Sequence, residues 1–170
     1  MHALSALVVR RRVPIGFVCA VLAYWLATPT TASILLGAIV ALPGEMLRIW
    51  AAGHLDKGRE ITRSGPYRFV RHPLYLGSAI LGAGFIIAAR NWWVAAVVGG
   101  YLALALVAAM RAEESALEAR FPGGYADYRA GRATPVDRRF SPARVVANRE
   151  HRAVIGFVAG FLLLLLRMQF

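Results

Sequence analysis

The chain has 170 residues, 58% of them hydrophobic, a single cysteine and a net charge of +11. So apolar a composition excludes an ordinary soluble domain, and one cysteine excludes a disulfide framework or a cysteine-built metal site. The charge follows the positive-inside pattern rather than a nucleic-acid footprint: if the apolar runs cross a bilayer, every Lys and Arg except Arg90 and Arg167 lies on one side or at a helix end there.

Arg10, Arg11 and Arg12 precede an apolar stretch, Val13–Ala27, that holds Cys19. No clean small-residue cleavage pattern follows and a second apolar run comes at once, so the stretch reads as a retained helix rather than a signal peptide. Thr28–Thr31 turns the chain at Pro29. A second helix is predicted over Ala32–Ala52, apolar to Gly44 and amphipathic beyond it, with Trp50 as an interfacial anchor. In it Glu45 and Arg48 lie one turn apart and can pair. Ionisable residues near the inner end of an apolar helix are candidates for function, here the entrance of a lipid substrate, against the plainer reading of an interfacial ion pair.

Gly53–His72 is a polar loop rich in Arg, with His54 as a cap or interface residue. Pro73 suits the first turn of a third helix, Leu74–Ala89, because its missing N–H has no partner to lose there. Arg90-Asn91 turns the chain. Trp92-Trp93 opens a fourth helix that runs to about Met110. A second polar segment, Arg111–Arg152, leads to a fifth apolar stretch, Ala153–Leu166.

The expected fold is an all-α integral membrane protein of about five transmembrane helices, one domain over residues 1–170 without repeats. Most runs fall short of the roughly 20 residues that span a bilayer, which snorkelling arginines and local thinning can absorb. Helices three and four can equally form a shallow hairpin. Five crossings from cytoplasmic Arg10–Arg12 place both polar segments in the cytoplasm, in an inner (cytoplasmic) membrane protein, and the C-terminus outside.

The two polar segments flank the helix three–four hairpin and so begin and end at neighbouring points, where they can build one site. The first, SGPYRFVRHPLYLGS, carries Tyr67, Arg68, Arg71, His72 and Tyr75 around the start of helix three. The free N–H groups of a helix start favour an anion or a polar ligand. The second, RAEESALEARFPGGYADYRAGR, carries Glu113 and Glu114. Neighbours on a helix point about 100° apart, so at most one of them faces a given cavity. Acids at a helix C-terminus oppose the macrodipole and call for a cationic or hydroxyl-bearing partner. No His, Asp and Glu grouping has metal-ligand spacing, so no metal is expected.

Together the two stretches resemble the isoprenylcysteine carboxyl methyltransferase family and its bacterial relatives, which are related to the phospholipid N-methyltransferases. The matching residues are Gly65, Tyr67, Arg71, His72, Pro73, Tyr75 and Gly77, then Glu113, Glu114, Leu117, Phe121, Tyr125 and Tyr128. Pro122 stands where the family usually has Gly, which affects a local turn. The resemblance covers about residues 53–135 and leaves the C-terminal helix, 153–166, outside.

It implies an S-adenosylmethionine-dependent methyltransferase acting at the cytoplasmic membrane face on an amphiphile, a prenylcysteine-like carboxylate being the family's acceptor. It implies a cofactor pocket from His72, Tyr75, Gly77 and Glu113 or Glu114, with Tyr67 and Arg71 at its edge. Arg71 and one of the two glutamates resemble the catalytically important pair. A carboxylate acceptor needs a cation to position it and no base; an amine or thiol would need a base, with Glu114 or Glu113 nearest. Two other readings stand beside this one: an NADPH-dependent reductase of the sterol-reductase type, which shares the Arg-His-Pro-x-Tyr-x-Gly segment, and a non-catalytic lipid-binding membrane protein.

Overall fold

A computed structural model describes the backbone of residues 2–170 and the side chains of residues 14–170. The predicted roles of Arg10, Arg11 and Arg12 therefore fall outside the described side chains. Helices α1 (His2–Leu26), α2 (Thr31–His54), α3 (Pro73–Ala89), α4 (Trp92–Arg120) and α7 (His151–Arg167) carry the fold, with short helices α5 (Gly124–Arg129) and α6 (Pro142–Ala147) between the last two. No strand occurs among the described residues. Two helices, α2 and α4, are long and apolar enough to cross a bilayer; Pro14–Leu26 and Pro73–Ala89 are shorter apolar segments. Only 6% of the apolar stretch of α4 and 28% of that of α2 is buried. A core helix of a soluble protein would be mostly covered, so these faces are built for an apolar surrounding.

The helix boundaries have local causes. Thr30 and Ser33 form a reciprocal cap at the start of α2. Asn91 caps α4 by accepting from the Trp93 N–H at 2.9 Å. Arg90 ends α3 in the left-handed region, φ 51°. The predicted end of helix four at Met110 is corrected: α4 continues to Arg120. Residues 111–120 are nearly all strong helix formers, and nothing breaks the pattern before Pro122 and Gly123.

One helix pair holds the bundle together. Gly37, Ala41 and Gly44 of α2 lie against Gly77, Gly84 and Ala88 of α3, backbone to backbone. A Cβ added at Gly44 would stand 2.7 Å from the Gly77 carbonyl oxygen and 2.7 Å from the Leu81 nitrogen. Small residues are what allow such an approach between apolar helices, where packing rather than the hydrophobic effect drives association. Gly44→Val is therefore expected to lower the melting temperature in detergent sharply, since overpacking of this kind typically costs ~1–3 kcal/mol. An unchanged melting temperature would contradict the α2–α3 contact.

The two ends of the bundle are stitched differently. At one end the Thr28 N–H donates to the Ala89 carbonyl at 2.9 Å and the Ser33 hydroxyl to the Ala88 carbonyl at 3.0 Å. An apolar cluster of Ala27, Ile34, Ala88, Ala89, Val94 and Leu164 closes that end. At the other end the polar segment after α5 folds over the last turn of α2. The Ser141 N–H and the Arg144 Nε donate to the Gly53 carbonyl, at 3.1 and 2.8 Å. The Asn148 amide donates to the carbonyls of Ala52 and Leu55, both at 3.0 Å. These are the orphan carbonyls of a helix end, satisfied here by a distant segment. That strap brings the two polar segments together.

Candidate functional site

The site is built where the start of α3 meets the polar end of α4. The chain enters α3 through a single 3-10 turn, Gly65–Arg68. Gly65 has φ +55°, and a Cβ there would stand 2.6 Å from Cγ of the His54 ring. Glycine is thus required at Gly65 by the turn and by His54, which packs inside and meets the Ser64 hydroxyl at 3.3 Å. Pro73 at the first helical position leaves His72 as N-cap, with no side-chain hydrogen bond to the helix it precedes.

His72 Nε2 lies 2.9 Å from Glu114 Oε1, joining residues 42 apart in sequence. Arg71 approaches the same oxygen at 3.6 Å. The Tyr75 ring lies 5.7 Å from the His72 ring. The buried Tyr125 hydroxyl sits beside the Glu114 carboxylate. Glu114 lies beyond the apolar stretch of α4. The hydrogen bond from His72 holds its carboxyl below the ordinary range, against a smaller opposing effect of burial. The Tyr125 phenol is pushed up to about 12, first by burial and then by the Glu114 carboxylate. Burial also raises the phenols of Tyr67 and Tyr128. The cluster sets the Glu114 carboxylate beside the Arg71 guanidinium, the His72 ring and phenols that stay protonated at neutral pH.

The other expected site residues fall in two groups. Tyr67 is buried near Glu113 and supports the cluster: its carbonyl accepts from the Tyr128 hydroxyl at 2.9 Å. Glu114, not Glu113, meets His72 and Arg71. Gly77, Glu45 and Arg48 lie together elsewhere, in the α2–α3 contact, where a Cβ on Gly77 would stand 2.6 Å from Arg48 Cγ. The expected Glu45–Arg48 pair is there, loosely, at 3.9 Å. Arg48 is held more tightly by Glu150, at 2.6 Å, and by the Ser78 hydroxyl. Glu150 escaped the sequence reading; its one signal was an acidic residue at a helix start. Arg68 and Arg138 act as tethers, to Asp137 at 3.1 Å and to Glu60 at 2.7 Å. Among the described residues no group of His, Cys, Asp and Glu can hold a metal ion.

Apolar helices made for a lipid surrounding, with one ionisable cluster at an end of the bundle, define the class: a helical membrane protein with a polar site. The chain belongs to the phospholipid methyltransferase family, whose model matches residues 15–123. It is similar to the nickel-cobalt-cadmium resistance protein NccN of Alcaligenes xylosoxydans xylosoxydans, with 30% identity over 113 residues, 65% of this chain and 50% of that protein. The chain thus spans about half the length of that curated relative. No solved structure matches.

Proposed function

We propose that the His72–Glu114 cluster binds S-adenosylmethionine, and that the protein transfers its methyl group at the cytoplasmic membrane face to an amphiphilic acceptor, a prenylcysteine-like carboxylate. The observation that carries this reading is the 2.9 Å contact between His72 and Glu114, which unites the two motifs of the resemblance in one cluster. The residues suit the group. Glu114 can accept from an amino group or a ribose diol, and the Tyr125 hydroxyl and the His72 ring supply donors or acceptors beside it. Tyr75 and Tyr125 offer aromatic faces, which attract a sulfonium cation and stack a base.

Bound there, S-adenosylmethionine supplies an electrophilic methyl group. The task left to the chain is alignment, which for such a displacement carries most of the demand. Arg71, with a side chain 47% exposed, can grip an arriving carboxylate by one oxygen and leave the other free to react. No base is then required. For an amine or thiol acceptor, Glu114 is the carboxylate in place to take the proton. Five membrane crossings, with both polar segments on the cytoplasmic side of an inner membrane, belong to the same proposal.

The direct test is a thermal shift of the full chain in detergent with S-adenosylmethionine, S-adenosylhomocysteine and NADPH. A ligand that binds only the folded state raises its melting temperature by mass action. Stabilisation by the first two is expected. Stabilisation by NADPH alone would replace this reading with the reductase. Label transfer from methyl-labelled cofactor into lipid extracts would identify the acceptor.

A further inference from the structure

A second space lies within the bundle, away from His72 and Glu114. It is a partly open cavity of about 520 Å³ lined by α1, α3, α4 and α7, with Arg48 of α2 at one end. Its lining along α3 runs from Ser78 to Ala89. At 1.5 Å per residue that is a depth of roughly 16 Å. The far end is closed by Ala89, Val94 and Leu164, all buried. The near end is polar: Arg48 bonds the Ser78 hydroxyl and pairs with Glu150, and behind it stands Glu45, 3% exposed and with no hydrogen bond to either carboxylate oxygen. A long apolar space with one polar end has the form of a lipid chain and its linking group. Its volume falls in the range of sites that hold one small ligand.

The wall on one side is α7. Ala153, Gly156, Phe157, Gly160 and Leu164 line the space at the spacing of one helical face. Gly160 lets α7 close on Phe85, whose ring would stand 2.6 Å from a Cβ there. Gly156 instead faces open space, with nothing within 4 Å of an added Cβ. The family match ends at residue 123, so α7 and Glu150 lie outside it. Without α7 the space would open sideways between α1 and α3.

We propose that α7, with Glu150 at its start, completes a binding site for a single apolar lipid chain, whose polar end lies at Arg48 and Ser78. On α3, Ser78 stands six residues beyond His72, about 9 Å along the axis. A chain seated here would present its head group toward the cofactor cluster. The inference rests on the methyltransferase reading for its purpose, and it names the acceptor's apolar part as one chain.

The protein carries its own reporter. Cys19, its single cysteine, lines the cavity. The full chain in nanodiscs of diacyl phosphatidylcholine is treated with N-ethylmaleimide, and alkylation of Cys19 is followed by mass spectrometry as straight-chain 1-alkanols of increasing length are added. The expected result is a saturable, several-fold slowing of alkylation with an optimum chain length. In Gly156→Leu the optimum moves to shorter chains, because the new side chain fills part of the space. Alkylation that ignores the alkanols overturns the proposal. So does protection that rises steadily with chain length and is identical in the variant, since that is bulk partitioning. The thermal shift with S-adenosylhomocysteine is run alongside. A shift without Cys19 protection overturns the chain site alone. Protection without a shift supports the chain site and overturns the cofactor reading.

Discussion

Glu114→Gln is expected to weaken S-adenosylhomocysteine binding by about ten- to a hundredfold, the range for losing a hydrogen bond to a charged group at a partly buried position. Two distances single out this residue: 2.9 Å to His72 and 3.6 Å to Arg71, both to the same oxygen. The amide keeps the shape and one acceptor, but removes the charge that holds the imidazole and guanidinium in place. Glu113→Gln should do much less, because the contacts with His72 and Arg71 are made by Glu114. Calorimetry on both variants decides it; normal binding in Glu114→Gln removes the proposed pocket. The pH dependence follows with a definite sign. The Glu114 carboxyl is held below its ordinary value of 4.5 in the folded protein. Its contribution to stability is therefore complete above that value and is lost as pH falls through the depressed one. Melting temperatures of the wild type should drop over that acid range, and those of Glu114→Gln should drop less.

Arg71→Ala is expected to lower turnover by about ten- to a hundredfold while cofactor affinity changes little, the signature of an interaction made with the acceptor and in the transition state. Arg71 is half exposed and reaches Glu114 only at 3.6 Å, so its guanidinium is available to a second partner. Arg71→Lys should recover part of the turnover, since an ammonium keeps the charge but lacks the planar fork that orients a carboxylate. The measurement is methyl transfer at saturating cofactor beside a binding titration. Equal losses in both would make Arg71 part of the cofactor pocket, and unchanged turnover would remove it from the mechanism.

The order of elements was readable because each rests on local causes. Pro73 and Asn91 start helices and Arg90-Asn91 turns the chain, through groups close in sequence. α4 runs past the expected end near Met110 to Arg120, as helix propensity favours; a helix that leaves an apolar layer need not stop there. The small-residue contact of α2 with α3 was also written in the spacing of Gly37, Ala41 and Gly44, but glycine in a helix carries no sign of which neighbour it meets. The choice between Glu113 and Glu114 could not be read, since it depends on how far α4 is rotated against α3.

By itself, the sequence determined that this is a helical chain made for an apolar surrounding, with two polar segments carrying Arg71, His72 and Glu114; composition, periodicity and motif order are properties of the chain alone. Tertiary structure decided which of these residues meet. It set Glu114 on His72, gave Gly77 to the α2–α3 contact, and drew Glu150 from beyond the second motif onto Arg48. The reason is physical. Pairings across 42 or 102 positions are fixed by how helices rotate and slide when their small residues interlock, and that is settled only when all the surfaces pack at once.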